Sequence, residues 1–124
     1  MARILIAEDE EGLRGLCARA LENEGHQVKT ACDGADALDQ LAQGDDRFDL
    51  ILTDIRMPIM DGIALALSAA RDHPDVTIVL MTGYADQRER ASGLDAIIHD
   101  VIAKPFTVAT LRSTISEALA MRAR

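Results

Sequence analysis

A chain of 124 residues with a formal net charge of −8 is the size of one domain, with material for one well-formed core and not for two. The acidic balance argues against a nucleic-acid surface, whose affinity comes from Lys and Arg neutralising phosphates. No stretch approaches the ~20 apolar residues of a membrane span, and the Met-Ala-Arg start runs straight into a strand-like segment, leaving no room for a secretory signal, so a cytoplasmic location is expected.

Short apolar runs alternate with amphipathic segments along the whole chain. Ile4 to Ala7 reads as a strand. Glu10 to Glu24 follows, with Leu13, Leu16, Cys17, Ala20 and Leu21 at the three-four spacing of one buried helix face. Gly25 stands where a glycine commonly closes a helix. His26 to Cys32 alternates weakly, as an edge strand does. Asp33-Gly34 marks a turn, and Ala35 to Gln43 a short helix through Ala37, Leu38 and Leu41. Leu50 to Thr53 is apolar on both faces, which suits a central parallel strand covered on two sides, and it stops on Asp54. Asp61 or Gly62 opens a third helix that runs to Arg71, with Pro74 in its exit loop. Val76 to Met81 is a fourth strand, ending on Thr82-Gly83. Asp86 to Ser92 is a polar, weakly patterned fourth helix. Ile97 to Ala103 contains the fifth strand, and Thr107 can cap a last helix to about Met121, with Leu111, Ile115, Ala118 and Leu119 inward.

Five strands alternating with five helices predict an α/β fold of the flavodoxin-like (βα)5 type. Right-handed crossovers then give a doubly wound, five-stranded parallel sheet in the order 2-1-3-4-5, with helices on both faces. The switch point lies between the first and third strands, where ligands gather in such folds. Glu8 and Asp9 leave the first strand there and Asp54 leaves the third. Thr82 and Lys104 follow the fourth and fifth strands to the same rim.

Three carboxylates brought together repel, and burying them unpaired is expensive. A magnesium ion resolves this: Mg²⁺ takes oxygen ligands and uses one or two protein carboxylates plus phosphate oxygens. One acid is then free to react, and a carboxylate is a competent nucleophile toward phosphorus. Asp54 is the natural phosphoacceptor, with Glu8 and Asp9 as metal holders, Lys104 pairing with a phosphoryl oxygen and Thr82 donating to another.

Each piece has a plainer reading when taken alone. Glu8-Asp9-Glu10-Glu11 can be the acidic first turn of a helix, favoured by its dipole. Thr82-Gly83 can be a turn, Lys104-Pro105 a solvated lysine before a helix, and Asp61-Gly62 a cap. Met57, Met60 and Met81 read as core filler. Cys17 and Cys32 match no metal-ligand spacing and are expected to be reduced, mostly buried thiols; His26, His73 and His99 show no ligand spacing either. The functional reading rests on all the acids, the hydroxyl and the lysine falling at the same ends of successive strands.

The motifs Ala7-Glu8-Asp9-Glu10, Thr53-Asp54-Ile55-Arg56-Met57-Pro58, Met60-Asp61-Gly62, Met81-Thr82-Gly83-Tyr84-Ala85 and Ala103-Lys104-Pro105-Phe106 carry a resemblance. In this order and spacing the chain resembles a receiver domain of two-component response regulators, from its first strand to its last helix. The resemblance implies that Asp54 accepts phosphate from a histidine kinase or histidine phosphotransferase. It also implies that the Arg56 main-chain carbonyl joins Glu8, Asp9 and Asp54 around Mg²⁺, and that Thr82 and Lys104 are the switch hydroxyl and lysine. Self-phosphorylation and self-dephosphorylation are then the only chemistry expected, without enzyme turnover. The fourth helix, fifth strand and fifth helix form the partner face by the same resemblance.

Two departures from the family pattern carry information. The usual aromatic three residues before the lysine is replaced by Val101, too small and stiff for the same inward swing. The positions that modulate phosphoryl lifetime hold Arg56 and Tyr84, both bulky and expected to restrict water. The opening segment, the Met-Thr-Gly-Tyr-Ala run and the valine further resemble the CpdR group, standalone receivers of bacterial cell-cycle phosphorelays. That likeness implies a single domain over residues 1–124 with no output domain, acting on a downstream protein partner of the ClpXP protease type when unphosphorylated. A phosphorelay intermediate and a chemotaxis-type single-domain regulator are the alternatives within the family. Outside it stand a flavodoxin-like carrier, whose flavin phosphate Glu8-Asp9-Glu10-Glu11 would repel, and an Asp-nucleophile phosphatase, whose Asp-x-Asp belongs after the first strand and not the third.

Overall fold

The apolar runs form the five strands of one parallel sheet in a computed structural model that describes residues 2–43, 47–83 and 91–122. In chain order the elements are β1 (Arg3–Ala7), α1 (Glu11–Glu22), β2 (Gln27–Ala31), α2 (Gly34–Ala42), β3 (Leu50–Asp54), α3 (Gly62–Asp72), β4 (Thr77–Thr82), one 3₁₀ turn (Ser92–Leu94), β5 (Asp100–Ala103) and α4 (Val108–Arg122). The spatial order is β2-β1-β3-β4-β5, as the alternation of strands and helices predicts. Registers of Ala7 with Ala31 and Thr53, Asp54 with Met81, and Thr82 with Ala103 bring the C-terminal strand ends to one rim.

Strand periodicity divides the core into two layers. Leu5, Ile51, Ile78 and Leu80 face one side of the sheet with Leu41 of α2 and Leu65 and Ala69 of α3. Ile4, Ile6, Leu50, Leu52, Val79 and Met81 face the other, with Cys17 and Leu21 of α1 and Leu111, Ile115 and Ala118 of α4. All five residues of β3 are buried, and each aliphatic chain so placed contributes roughly 1.5–3 kcal/mol. No helix among the described residues is long and apolar enough to cross a membrane.

Several expectations are refined. Leu16 is 41% exposed, because the buried stripe of α1 runs through Cys17, Ala20 and Leu21 and leaves Leu16 at its edge. Cys17 is buried as expected, but Cys32 is exposed, because it follows the last residue of the edge strand β2. The expected fourth helix, Asp86 to Ser92, falls mostly on residues 84–90, outside those described. The strand expected within Ile97 to Ala103 is confined to Asp100–Ala103, because the amides of Ile97 and Ile98 both turn back to the Leu94 carbonyl. Thr107 caps α4 as predicted, its Oγ1 accepting from the Thr110 amide at 3.0 Å.

The connection from β3 to α3 is pinned at its exit. The Gly62 amide donates to the Ile55 carbonyl at 2.8 Å, and a Cβ on Gly62 would lie 2.0 Å from the Asp54 carbonyl oxygen. Only glycine fits there. Gly62→Ala is therefore expected to lower stability by on the order of 1–3 kcal/mol through overpacking against β3, read from the urea unfolding midpoint at unchanged slope.

Candidate functional site

β1 delivers two acids in opposite surroundings: Glu8 is 1% exposed while Asp9 faces solvent. The Glu8 amide extends the sheet ladder to the Ala31 carbonyl at 3.0 Å, so its backbone is part of the sheet rather than of a loose loop. Asp54 is the last residue of β3 and is 6% exposed. The ladder continues one residue past it, from the Ile55 amide to the Met81 carbonyl at 3.1 Å. Asp61 caps α3 by accepting from the Ala64 amide at 2.9 Å. Between these fixed points Ile59 has φ 69°, with the Met60 amide donating to the Pro58 carbonyl at 2.7 Å. That is a γ-turn whose central residue is left-handed, a strained conformation for a β-branched side chain. Ile59 is also 84% exposed.

Lys104 follows β5, across a cis peptide bond from Pro105. Its own amide donates to the Thr82 carbonyl at 2.8 Å. Its Nζ lies 2.6 Å from Asp54 Oδ2 and 3.4 Å from Glu8 Oε1. Thr82 is buried at the end of β4, and its neighbour Gly83 lines the cavity wall. The cavity encloses about 580 Å³ and takes its acidic side from Glu8, Asp9 and Asp54, its basic side from Lys104 and Arg56, and an apolar edge from Leu13 and Phe106. The rim thus assembles the three acids and the lysine expected from the sequence, while the threonine is buried at the end of β4 and is not among the cavity's lining residues. Val101 is half-buried on β5 and packs on the Leu80 side of the sheet. Tyr84 lies outside the described residues.

The electrostatics favour a divalent cation. One oxygen from each of Glu8, Asp9 and Asp54 lies within 4.8 Å of the others. Burial first, and then the adjacent Asp54, push the Glu8 carboxyl up to about 8, while Lys104 pulls the other way. Burial disfavours the charged Lys104 ammonium, but the hydrogen bond and charge of Asp54, with Glu8 behind, outweigh it and hold that group above its ordinary value. One ammonium does not satisfy all three acids: Glu8 Oε2 is buried with no hydrogen-bond partner among the described residues. An oxygen-only donor set with an orphaned buried carboxylate oxygen fits Mg²⁺. Cys17 beneath the rim is pushed up to about 11 by burial and then by Glu8, so it is an inert packing thiol.

One side chain was not visible in the spacing of the sequence. Arg14, in the second turn of α1, donates from Nη1 to the Glu8 main-chain carbonyl at 2.9 Å. Its target is a backbone atom, and no residue pattern announces such a bond.

Comparison with known proteins gives one answer. The family described as response regulator receiver domain matches residues 4–116. The chain is 38% identical over 119 residues to the response regulator receiver protein CpdR of Brucella abortus (strain 2308), covering 96% of this chain and 98% of that protein. It is 35% identical over 109 residues to the response regulator MprA of Mycobacterium avium (strain 104), but spans only 47% of that longer relative. Among solved structures, a CheY-like receiver domain protein from Methanospirillum hungatei JF-1 superposes with a TM-score of 0.89 at 30% identity, covering 98% of this chain and 96% of that one. The response regulator TrrA of Thermotoga maritima, solved in complex with Mg²⁺-BeF, superposes with a TM-score of 0.84 at 29% identity, covering 95% and 99%.

A pH dependence follows from Glu8. Without metal, the folded protein keeps the Glu8 proton up to about pH 8, whereas the unfolded chain releases it near the ordinary value of 4.5. The folded state binds the extra proton between those values, so this site's contribution to stability falls as pH rises through that window. The expected slope is up to about 1.4 kcal/mol per pH unit. Urea unfolding in a chelator at pH 5 to 8 measures it, and Glu8→Gln should flatten it.

Proposed function

Because this chain belongs to the response regulator receiver domain family of two-component systems, we propose that it is a phosphorylation-dependent switch whose acceptor is Asp54. Receiver domains are signalling switches rather than conventional enzymes. The observation that carries the reading is the Lys104 ammonium held 2.6 Å from the Asp54 carboxylate, with Glu8 and Asp9 oxygens alongside, at the sheet's switch point.

The chemistry follows from that arrangement. Glu8, Asp9, Asp54 and the Arg56 main-chain carbonyl would hold Mg²⁺, which when bound offsets the charge that builds on phosphoryl oxygens. A carboxylate oxygen of Asp54 attacks the phosphorus of a phosphohistidine on a histidine kinase or histidine phosphotransferase. A P–O bond forms, the P–N bond breaks, and the imidazole leaves with its electron pair. Lys104 exchanges its carboxylate contact for a phosphoryl oxygen, and the Thr82 hydroxyl donates to another. Water later attacks the phosphorus of the acyl phosphate and restores the free carboxylate. Arg56, exposed at the rim, and Tyr84 restrict the approach of that water.

The output passes through the domain's own surface to a protein partner in the cytoplasm. The likeness to CpdR over nearly the whole of both chains supports a partner of the ClpXP protease type, engaged by the unphosphorylated form. With Val101 in the aromatic position, the loop after Thr82 carries the change of shape instead of a swinging ring.

Incubation with a small phosphodonor and Mg²⁺ should add one phosphoryl group by intact mass to the wild type and none to Asp54→Asn. Labelling of Asp54→Asn at the wild-type level would remove the assignment. Arg56→Ala and Tyr84→Ala should each shorten the phosphoryl half-life, by several-fold at least. Unchanged half-lives in both would show that neither side chain gates water.

A further inference from the structure

The helices differ in how their first turns are held. Asp33 caps α2 by accepting from the Asp36 amide at 2.8 Å. Asp61 caps α3, and Thr107 caps α4, each through a side-chain oxygen. Glu10, at the N-cap of α1, makes no such bond. Yet the segment in front of α1 carries Glu8 and Asp9, whose carboxylates have the most demanding placement in the molecule.

The peptide joining the two acids is held in another way. Its carbonyl, that of Glu8, accepts from Arg14 Nη1 at 2.9 Å, while the Glu8 amide on the other side is tied to Ala31 at 3.0 Å. Consecutive side chains of an extended strand point to opposite faces. Here Glu8 is buried, Asp9 is exposed, and both still bring an oxygen within 4.8 Å of one from Asp54. The bond from Arg14 to the carbonyl between them limits how far ψ of Glu8 and φ of Asp9 can depart from the backbone that brings the two carboxylates together. We propose that Arg14 is a positioning residue for the cation site, holding the Glu8–Asp9 peptide so that both carboxylates address one ion. This rests on the reading of Glu8 and Asp9 as cation holders.

The assignment has a sign that simple electrostatics does not share. A guanidinium beside an acidic cluster repels a divalent cation, so deleting it should tighten binding if charge alone matters. If orientation matters, deleting it weakens binding, by the ten-fold or more that loss of a supporting hydrogen bond around a metal site typically costs. Calorimetric titration of the full chain with MgCl₂ at fixed ionic strength, together with the thermal midpoint in EDTA, separates the two. Arg14→Ala is expected to weaken Mg²⁺ binding about ten-fold with an unchanged midpoint in EDTA. Arg14→Lys, which keeps a charge and a donor, should recover most of the loss. Should Arg14→Ala be poorly folded, Arg14→Gln serves as the second variant, because it keeps a neutral donor and is expected to bind within a few-fold of wild type. Equal or tighter binding by Arg14→Ala, or tighter-than-wild-type binding by Arg14→Gln, overturns the assignment while leaving the metal site intact. A wild type that binds no Mg²⁺ overturns the metal reading and this inference with it.

Discussion

The contact between Lys104 Nζ and Asp54 Oδ2, 2.6 Å long at the sheet rim, sets the terms for the rest of the molecule. It joins residues 50 positions apart, so it exists only if β3 and β5 end at the same level with β4 between them. A carboxylate buried there without that ammonium would be an uncompensated charge, which is strongly destabilising. The ammonium in turn leaves Glu8 half satisfied, with Oε1 within reach and Oε2 without a partner among the described residues. An acidic cluster left so is a donor set that fits a hard divalent cation.

The scaffold around that contact is arranged to keep backbone fixed where side chains must react. Gly62 lets the start of α3 press against the Asp54 carbonyl, and Gly34 at the start of α2 donates to the Met60 carbonyl at 3.0 Å. The loop after β3 is thus tied to two helices at once. The left-handed Ile59 sits between those ties. Strain of this kind persists only where the surroundings over-determine the backbone. Here the surroundings are the ladder extension at Ile55 and the capped start of α3.

Much of this was legible in the residues, and the reasons are physical. A strand buried on both faces must be apolar at every position, so Leu50 to Thr53 marked itself as central, and the acid that ended it marked the rim. Parallel topology then placed Glu8, Asp9, Thr82 and Lys104 together without any distance being known. Features that depend on backbone rather than side-chain identity were not legible. The Arg14 bond ends on a carbonyl, the left-handed turn carries an isoleucine where glycine or asparagine would have signalled it, and the exposure of Cys32 depends on where the edge strand stops. Leu16 shows a finer failure: three-four spacing finds the helix face, but burial also needs a neighbouring element over the stripe's edge.

The position of Val101 bears on how a change at the rim is passed on. In β5 the residues alternate, with Ile102 in the layer of α1 and α4 and Val101 half-buried on the opposite side near Leu80 and Ala91. A valine there has one stiff torsion and little reach, so it does not sweep between an inward and an outward pocket. The rim is linked to the neighbouring strand by another route, the bond from the Lys104 amide to the Thr82 carbonyl. Because Thr82 and Lys104 share that backbone bond, the ends of β4 and β5 are held together through their main chains. A backbone link of this kind needs no aromatic ring, so the tie between the ends of β4 and β5 is complete with valine at position 101.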